Sequence, residues 1–393
     1  MRTFLAWLAG EKGKTASPNT AGYCKARARL SIQDIEQTHR QVVERTEQQT
    51  TEGLWYGRRV KVVDGSAVSM SDTPQNQESY PQPSRQKEGC GFPIMRIIAL
   101  FSLATGTILA LSKDRLHVSE RELFRRLWEH LKPHDIALAD RGFCGFAEFL
   151  FLLKRGVDSV MRNHPRRTKG ITHIRRLGKG DRLIEWHKMH VVPKWLTREE
   201  WAAIPERLTV REIRIHVEIP GFRTKNIIVV TTLTDPKEFP EEAFAELYRR
   251  RWKAELCLRD IKTTMGMDIL RCKTPEMVEK ELWMYVIAHN LIRALMVESA
   301  HIHHISCERL SFKGTISTLR QWAPVLASPL LSALDRSEIY RLMLFYIAKD
   351  KLPHRPNRLE PRAIKRRPKN YQRLTQPRNI FKETPHRRKY KKA

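Results

Sequence analysis

The sequence predicts an α/β fold in which a mixed sheet flanked by helices is interrupted by an all-β subdomain. Three observations carry that prediction. Between residues 58 and 163, strand and helix patterns follow one another as β, β, β, α, β, α, β. Residues 165–235 then switch to strand-like alternation, and a long helical pattern resumes near residue 240. At 393 residues, the chain is long enough for two or three domains with their own cores.

The elements follow in order. Residues 1–50 read as polar helices. In "SPNT" (17–20), Ser17 suits a helix cap and Pro18 the first turn. The segment "AGYCKARARL" then spaces Lys25, Arg27 and Arg29 closely, which fits either a DNA-contacting helix or a solvated basic face. "RRVKVVDGS" predicts a short buried strand ending in Asp64, and residues 72–91 read as loop. Two apolar runs around "ATG" (93–112) predict a β-hairpin. Ser119 opens a helix over 119–131 with Leu123, Leu127 and Leu131 as its apolar stripe. "DIALAD" (135–140) predicts a strand ending at Asp140, 146–156 a helix stopped by Gly156, and 157–163 a fifth strand. In "LTVREIRIHVEI", Ile213, Ile215, Val217 and Ile219 alternate with Arg214, His216 and Glu218, and "NIIVVTTL" (226–233) adds a second strand. "DPKEFPEE" (235–242) closes this region and starts the long helix.

Charge is the unusual feature of the composition. Lys and Arg number 72 against 43 Asp and Glu, a formal net charge of +29. Such an excess favours a polyanionic partner, because basic side chains bound to phosphates release counterions. Residues 351–393 alone hold sixteen Lys and Arg against Glu360 and Glu383, with four prolines between 353 and 368, so an extended basic arm on DNA is expected. The six cysteines form no CxxC pair, so neither a zinc knuckle nor a disulfide framework is indicated, and a reducing cytosol fits. "HIHH" (301–304) reads as surface or helix-end histidines rather than metal ligands. No run suits a signal peptide or a membrane span.

Three acids stand out. Asp64 and Asp140 close neighbouring strands, where ligands of α/β sheets bind. A Glu from a packed helix would complete a set of three carboxylates. Their repulsion is relieved by a divalent cation, and hard oxygen donors suit Mg²⁺ or Mn²⁺. On a regular helix starting at Tyr248, Arg251 falls at about −60°, Glu255 at about −20° and Lys262 at about −40°. One narrow edge thus presents Tyr248, Arg251, Glu255 and Lys262 together, beside an apolar stripe of Leu247, Ala254, Leu258, Ile261 and Met265. The plainer alternative is a solvated edge with an Arg251–Glu255 pair worth a few tenths of a kcal/mol.

The spacing Tyr248, Arg251, Glu255, Lys262 resembles the YREK signature of the insertion-sequence-four family of DDE transposases. "VVDGS" resembles the family's first-Asp motif and "ADRGF" its second, in the family's order, and the closing basic stretch is similar as well. The resemblance runs from about residue 17 onward. It implies an RNase H-like mixed sheet with a β-rich insertion ahead of the catalytic Glu helix. Asp64, Asp140 and Glu255 would hold two Mg²⁺ ions, with Mn²⁺ able to substitute, for nicking and then strand transfer on DNA. A hairpin intermediate is plausible on the same ground. Tyr248, Arg251 and Lys262 would grip phosphates, Arg251 by a bidentate contact. Such families also hold a flipped base on an aromatic ring, for which Trp186 is a candidate among nine Trp, most of them expected in cores or interfaces.

The implied partners are double-stranded DNA, at transposon ends and target, and a second copy forming a homodimer on DNA, with no membrane. The expected location is the bacterial cytosol at the nucleoid. The expected organisation is a partial N-terminal helical DNA-binding region (1–52), a catalytic domain in two parts (53–164 and 239–300) around the insertion (165–238), a C-terminal helical region (301–350) and the basic tail (351–393). Only 16 residues precede the segment matching "SPNTAGYCKARARL", fewer than the family's DNA-recognition domain. An N-terminally truncated derivative that binds DNA without transposing, or that inhibits a full-length copy, is therefore the alternative to an active transposase. A host nuclease of the same fold would share the acids but leave the full YREK edge unexplained.

Overall fold

The computed structural model describes residues 21–48, 50, 53–163, 170–216 and 226–353. The cap at 17–20 and nearly all of the basic tail lie outside those residues. Helices α1 (Ala21–Arg29) and α2 (Ile32–Gln48) precede the central strand, β1 (Val60–Met70). After the short α3 (Pro74–Ser79), β2 (Ile94–Ser102) and β3 (Ile108–Arg115) form the expected antiparallel hairpin, with β2 also antiparallel to β1. Gly106, at φ 74°, takes the left-handed turn position between them. The chain continues through α4 (Glu120–Arg125) to β4 (Ile136–Ala139), and through α5 (Phe146–Lys154) to β5 (Asp158–Arg162). β4 lies parallel to β1, and β5 parallel to β4.

Two expectations need adjustment. Asp64 does not end its strand. β1 runs six residues further, to Met70, because β2 pairs with it as far as Ser69. It is β4 that stops, at Ala139, so β1 outruns its neighbour from Asp64 onward. The helix expected over 119–131 ends at Arg125. A 3₁₀ turn over Trp128–His130 carries the apolar stripe onward by i,i+3 bonds, and Leu123, Leu127 and Leu131 are all buried. Ser119 caps α4 as expected, its hydroxyl accepting from the Glu122 amide at 3.2 Å.

The inserted segment comprises β6 (Ile171–Gly178), β7 (Asp181–His187), α6 (Arg198–Ala202), β8 (Arg207–His216) and β9 (Asn226–Thr231). It is strand-rich, but α6 is helical, nucleated by a capping box between Thr197 and Glu200. Nor does it stand apart. β9 pairs antiparallel with β5, so one sheet runs β3-β2-β1-β4-β5-β9-β8-β7-β6. Ile213 and Ile215 are buried while Arg214 and His216 face solvent, as the alternation predicts; Val217, Glu218 and Ile219 lie outside the described residues.

A pleated strand shows alternate side chains to opposite faces, and here both faces are covered. Val62, Leu138 and Val160 enter one core, shared with α2 and with the long helical segment that follows the insertion. Val63, Ala139 and Met161 enter the other, against α4, α5 and α6. That long segment is α7 (Glu241–Arg250), α8 (Trp252–Arg259) and a π-turn (Asp260–Thr264), followed by the two-residue β10 (Ile269–Leu270) parallel to the far end of β1. Helices α9 (Pro275–Ile302), α10 (Phe312–Leu326) and α11 (Ala333–Lys349) close a third cluster. Among the described residues no helix is long and apolar enough to cross a membrane.

Candidate active site

Register places the two aspartates. Val62 pairs with Leu138, and both enter the first core. Asp64 and Asp140 each lie two residues further along parallel strands, so period-two alternation turns both carboxylates to that same face. The helix carrying Glu255 covers this face, with Leu247, Ala254, Leu258 and Ile261 buried in the same core. The three acids thus lie near one another on one face, close enough for Glu255 and Asp140 to act on the Asp64 charge, beside the end of β4 and the flank of β1 that β4 leaves unpaired.

Local bonds fix each group. The Asp64 carboxylate accepts from the Gly65 amide at 2.9 Å. Asp140 accepts from the Gly142 amide at 2.5 Å, closing the turn that follows β4. Arg121, from α4, donates to the Gly142 and Cys144 carbonyls at 2.6 and 3.2 Å and so pins that turn from behind. Glu255 is paired with Arg251 at 2.7 Å. The Arg251 guanidinium also lies 5.7 Å from the centre of the buried Tyr248 ring, within cation–π range. Its Nε is buried and has no hydrogen-bond acceptor among the described residues.

Electrostatics tie the acids together. The Asp64 carboxyl is pushed up to about 6, first by burial and then by the like charges of Glu255 and Asp140, against the Gly65 amide and the Arg251 guanidinium. An unfolded Asp titrates near 3.8, so between about pH 4 and pH 6 the unfolded chain releases a proton that the folded chain keeps. The metal-free protein is therefore expected to lose about 1–3 kcal/mol of stability as pH rises through that window. Asp64→Asn removes this loss. With chelator present, the variant is expected to melt at a higher temperature than the parent near neutral pH and at the same temperature near pH 4, as read by thermal denaturation. Identical melting at both pH values would contradict the assignment.

The donor set suits a hard divalent cation: three carboxylates, one of them destabilised first by burial and then by the other two. Among the described residues, however, no three His, Cys, Asp or Glu side chains are gathered closely enough to ligate one ion as they stand. The pairing of Glu255 with Arg251 gives a physical reason, because that carboxylate is turned toward its cation.

Tyr248 and Arg251 lie beside Glu255 on this edge. The helix is irregular beyond them, interrupted at Arg251 and widened over Asp260–Thr264. Lys262, within that wide turn, donates to the Ser66 hydroxyl and the Ala67 carbonyl of β1, each at 2.8 Å, two and three residues past Asp64. Trp186 is a core residue, 2% exposed and edge-on to Phe149 at 5.0 Å, and so not available to hold a base. Sequence reasoning missed Arg162. Ala139 pairs with Met161, so Arg162 lies beside Asp140 on the acid face, and its charge acts on the Tyr248 phenol. The signal was present, since Arg162 ends the strand that follows the one leading to Asp140.

Comparison with known proteins adds independent findings. A family model described as "Transposase DDE domain" matches residues 55–291, which include all three acids. The chain is 27% identical over 350 residues to the transposase InsG for insertion sequence element IS4 of Escherichia coli strain K12, covering 88% of this chain and 76% of that one. It is 30% identical over 73 residues to the putative transposase InsL for insertion sequence element IS186A of the same organism, covering 19% and 18%. Among solved structures, a piggyBac transposase synaptic complex with hairpin DNA aligns with a TM-score of 0.41 at 10% identity, over 71% of this chain and 56% of that one.

Proposed function

We propose, from the premise that this chain belongs to the transposase DDE domain family, that it cuts the ends of an insertion sequence and joins them to target DNA, using Asp64, Asp140 and Glu255 to hold two Mg²⁺ ions. The observation that carries this reading is the convergence of those three acids on one face beside an Arg251 whose buried Nε lacks an acceptor among the described residues. The sheet order β3-β2-β1-β4-β5, with β2 antiparallel and β4 and β5 parallel to β1, supports an RNase H-like core. Residues 53–164 and 239–300 would form that core around the insertion at 165–238. All three acids are present, which favours retained chemistry over a DNA-binding derivative.

Divalent metal, when bound, supplies Lewis-acid activation of the attacking oxygen and stabilisation of the leaving 3′ oxygen. The chain's own residues do the rest. Arg251 offers Nε and its fork to a phosphate, an arrangement that suits two parallel charge-assisted bonds. As the phosphate takes over the guanidinium, Glu255 is released to turn toward Asp64 and Asp140. The Tyr248 ring lies 5.7 Å from the guanidinium and helps to hold it by a cation–π contact. Arg162 adds a cation beside Asp140 for the flanking phosphate. The reaction would proceed in the bacterial cytosol on double-stranded DNA, with a second copy holding the other element end.

The test is cleavage of a duplex carrying the element's terminal repeats, with Mg²⁺, Mn²⁺ or chelator. Site-specific 3′-OH ends that require the metal are expected; metal-independent or random cutting would overturn the reading. Arg251→Lys is expected to lower the nicking rate about 10–100-fold, because an ammonium cannot reproduce the planar two-point contact. A rate within about twofold of the parent would remove Arg251 from the phosphate site.

A further inference from the structure

We infer, resting on the reading of the site above, that Arg121 is a positioning residue for Asp140: its guanidinium holds, from the far face of the sheet, the turn that aims this carboxylate.

The two aspartates are held differently. Asp64 sits inside a strand, paired with Ala99 of β2. Asp140 lies beyond the ladders of β4, whose last pairs are Leu138 with Val62 on one side and Ala139 with Met161 on the other. The sheet therefore does not fix its backbone, and the turn that follows must do so. That turn closes on Asp140 twice. The Phe143 amide donates to the Asp140 main-chain carbonyl at 3.2 Å, and the Gly142 amide donates to its carboxylate at 2.5 Å. The direction of the carboxylate is thus set by where residues 142 and 143 sit.

Arg121 sets where they sit. Its Nε donates to the Gly142 carbonyl at 2.6 Å, and a terminal nitrogen donates to the Cys144 carbonyl at 3.2 Å. A guanidinium carries these donors in one rigid plane, so two carbonyls two residues apart are held in register. Between them Phe143 is buried, edge-on to Phe124 at 5.4 Å, and Phe124 stands one turn along α4 from Arg121. One helix thus grips the turn both by its backbone and by its ring. α4 is itself anchored, because Arg125 pairs with the buried Glu148 of α5 at 3.2 Å. Gly145, where the turn meets α5, leaves room for these groups: a Cβ there would strike the Glu148 carboxylate and stand 3.3 Å from an Arg121 terminal nitrogen. Leu123 and Phe124 enter the second core, whereas Asp140 faces the first. Arg121 therefore reaches the carboxylate through the turn, from the other side of the sheet.

Arg121→Gln and Arg121→Lys, each in the full chain, are followed by two readouts. In metal-free protein, amide hydrogen exchange across the turn at 140–146, read by mass spectrometry, is expected to quicken about tenfold or more in Arg121→Gln, with β4 and the body of α5 at parent rates. On a terminal-repeat duplex, the Mn²⁺ concentration giving half-maximal single-turnover nicking is expected to rise about 10–100-fold in Arg121→Gln. Arg121→Lys falls between that variant and the parent in both readouts, because an ammonium can meet one carbonyl but lacks the planar fork. Parent-like exchange in the turn, or a parent-like Mn²⁺ requirement, overturns the inference. A loss of duplex affinity with a salt slope lower by about 0.9, at the parent's metal requirement, would mark Arg121 as a phosphate contact instead. Faster exchange throughout the chain at the parent's metal requirement would make it a purely structural residue. Should Arg121→Gln fail to fold, Arg121→Lys decides by the same two readouts. Asp140→Asn run alongside keeps the claims apart. If it nicks like the parent, the reading of the site fails; if it is inactive while Arg121→Gln keeps the parent's Mn²⁺ requirement, the positioning claim alone fails.

Discussion

Asp64→Asn, Asp140→Asn and Glu255→Gln are each expected to slow nicking by about 10³-fold or more, equivalent to about 4 kcal/mol of transition-state stabilisation. Each replacement keeps the shape of the side chain and removes one negative oxygen donor. Duplex binding should survive, because phosphate affinity comes from cations, and removing an acid from a basic surface does not weaken it. Glu255→Gln carries an additional signature: Arg251 loses its ion-pair partner, so affinity for the duplex should stay level or rise. Gel-resolved nicking beside fluorescence anisotropy reads both quantities on one substrate. Full-rate cutting by any of the three variants would remove that residue from the catalytic set.

The second large effect concerns stability. Arg211 is fully buried, and its guanidinium holds both oxygens of Asp181, at 2.9 and 2.6 Å. It donates at 2.6 Å to the Phe239 carbonyl and lies 5.3 Å from the centre of the Phe244 ring. These contacts join β7 and β8 to the start of the helix that leads to Glu255. Arg211→Ala leaves the Asp181 carboxylate buried without its cation, and is expected to cost about 3–5 kcal/mol in urea unfolding. Removing both charges, as Arg211→Met with Asp181→Leu, should recover most of that loss, because no unpaired ion then remains. A single variant within about 1 kcal/mol of the parent would show that the pair does not anchor the insertion.

Much of this was legible in the residues, for physical reasons that differ by element. The hairpin, β4, α5 and β5 are short apolar runs bounded by turn residues, and Gly156 stops α5 through the left-handed conformation it adopts. Asp140 was legible as the residue after a strand, Asp64 only as its neighbour in the sheet, and the closeness of Tyr248, Arg251 and Glu255 by their spacing. The length of β1 was not. Residues 65–69 are mostly small and weakly patterned, and they stay extended because β2 and the segment around residue 269 pair with them, the latter some 200 residues away in the chain. The β1 partners of Lys262 could not be read for a related reason, since a wide turn alters the phase of a regular helix. Trp186 could not be assigned from composition: whether a strand Trp faces core or groove depends on pairing, here with Leu208. Arg162 needed only the strand-end argument that located Asp140, carried one strand further.

The central claim is that the three acids share divalent metal. Calorimetric titration of Mn²⁺ into the protein bound to terminal-repeat duplex tests it most directly. Saturable binding is predicted for the parent, weakened at least about tenfold in each of Asp64→Asn, Asp140→Asn and Glu255→Gln. Parent-like Mn²⁺ affinity in Asp140→Asn or Glu255→Gln would contradict it.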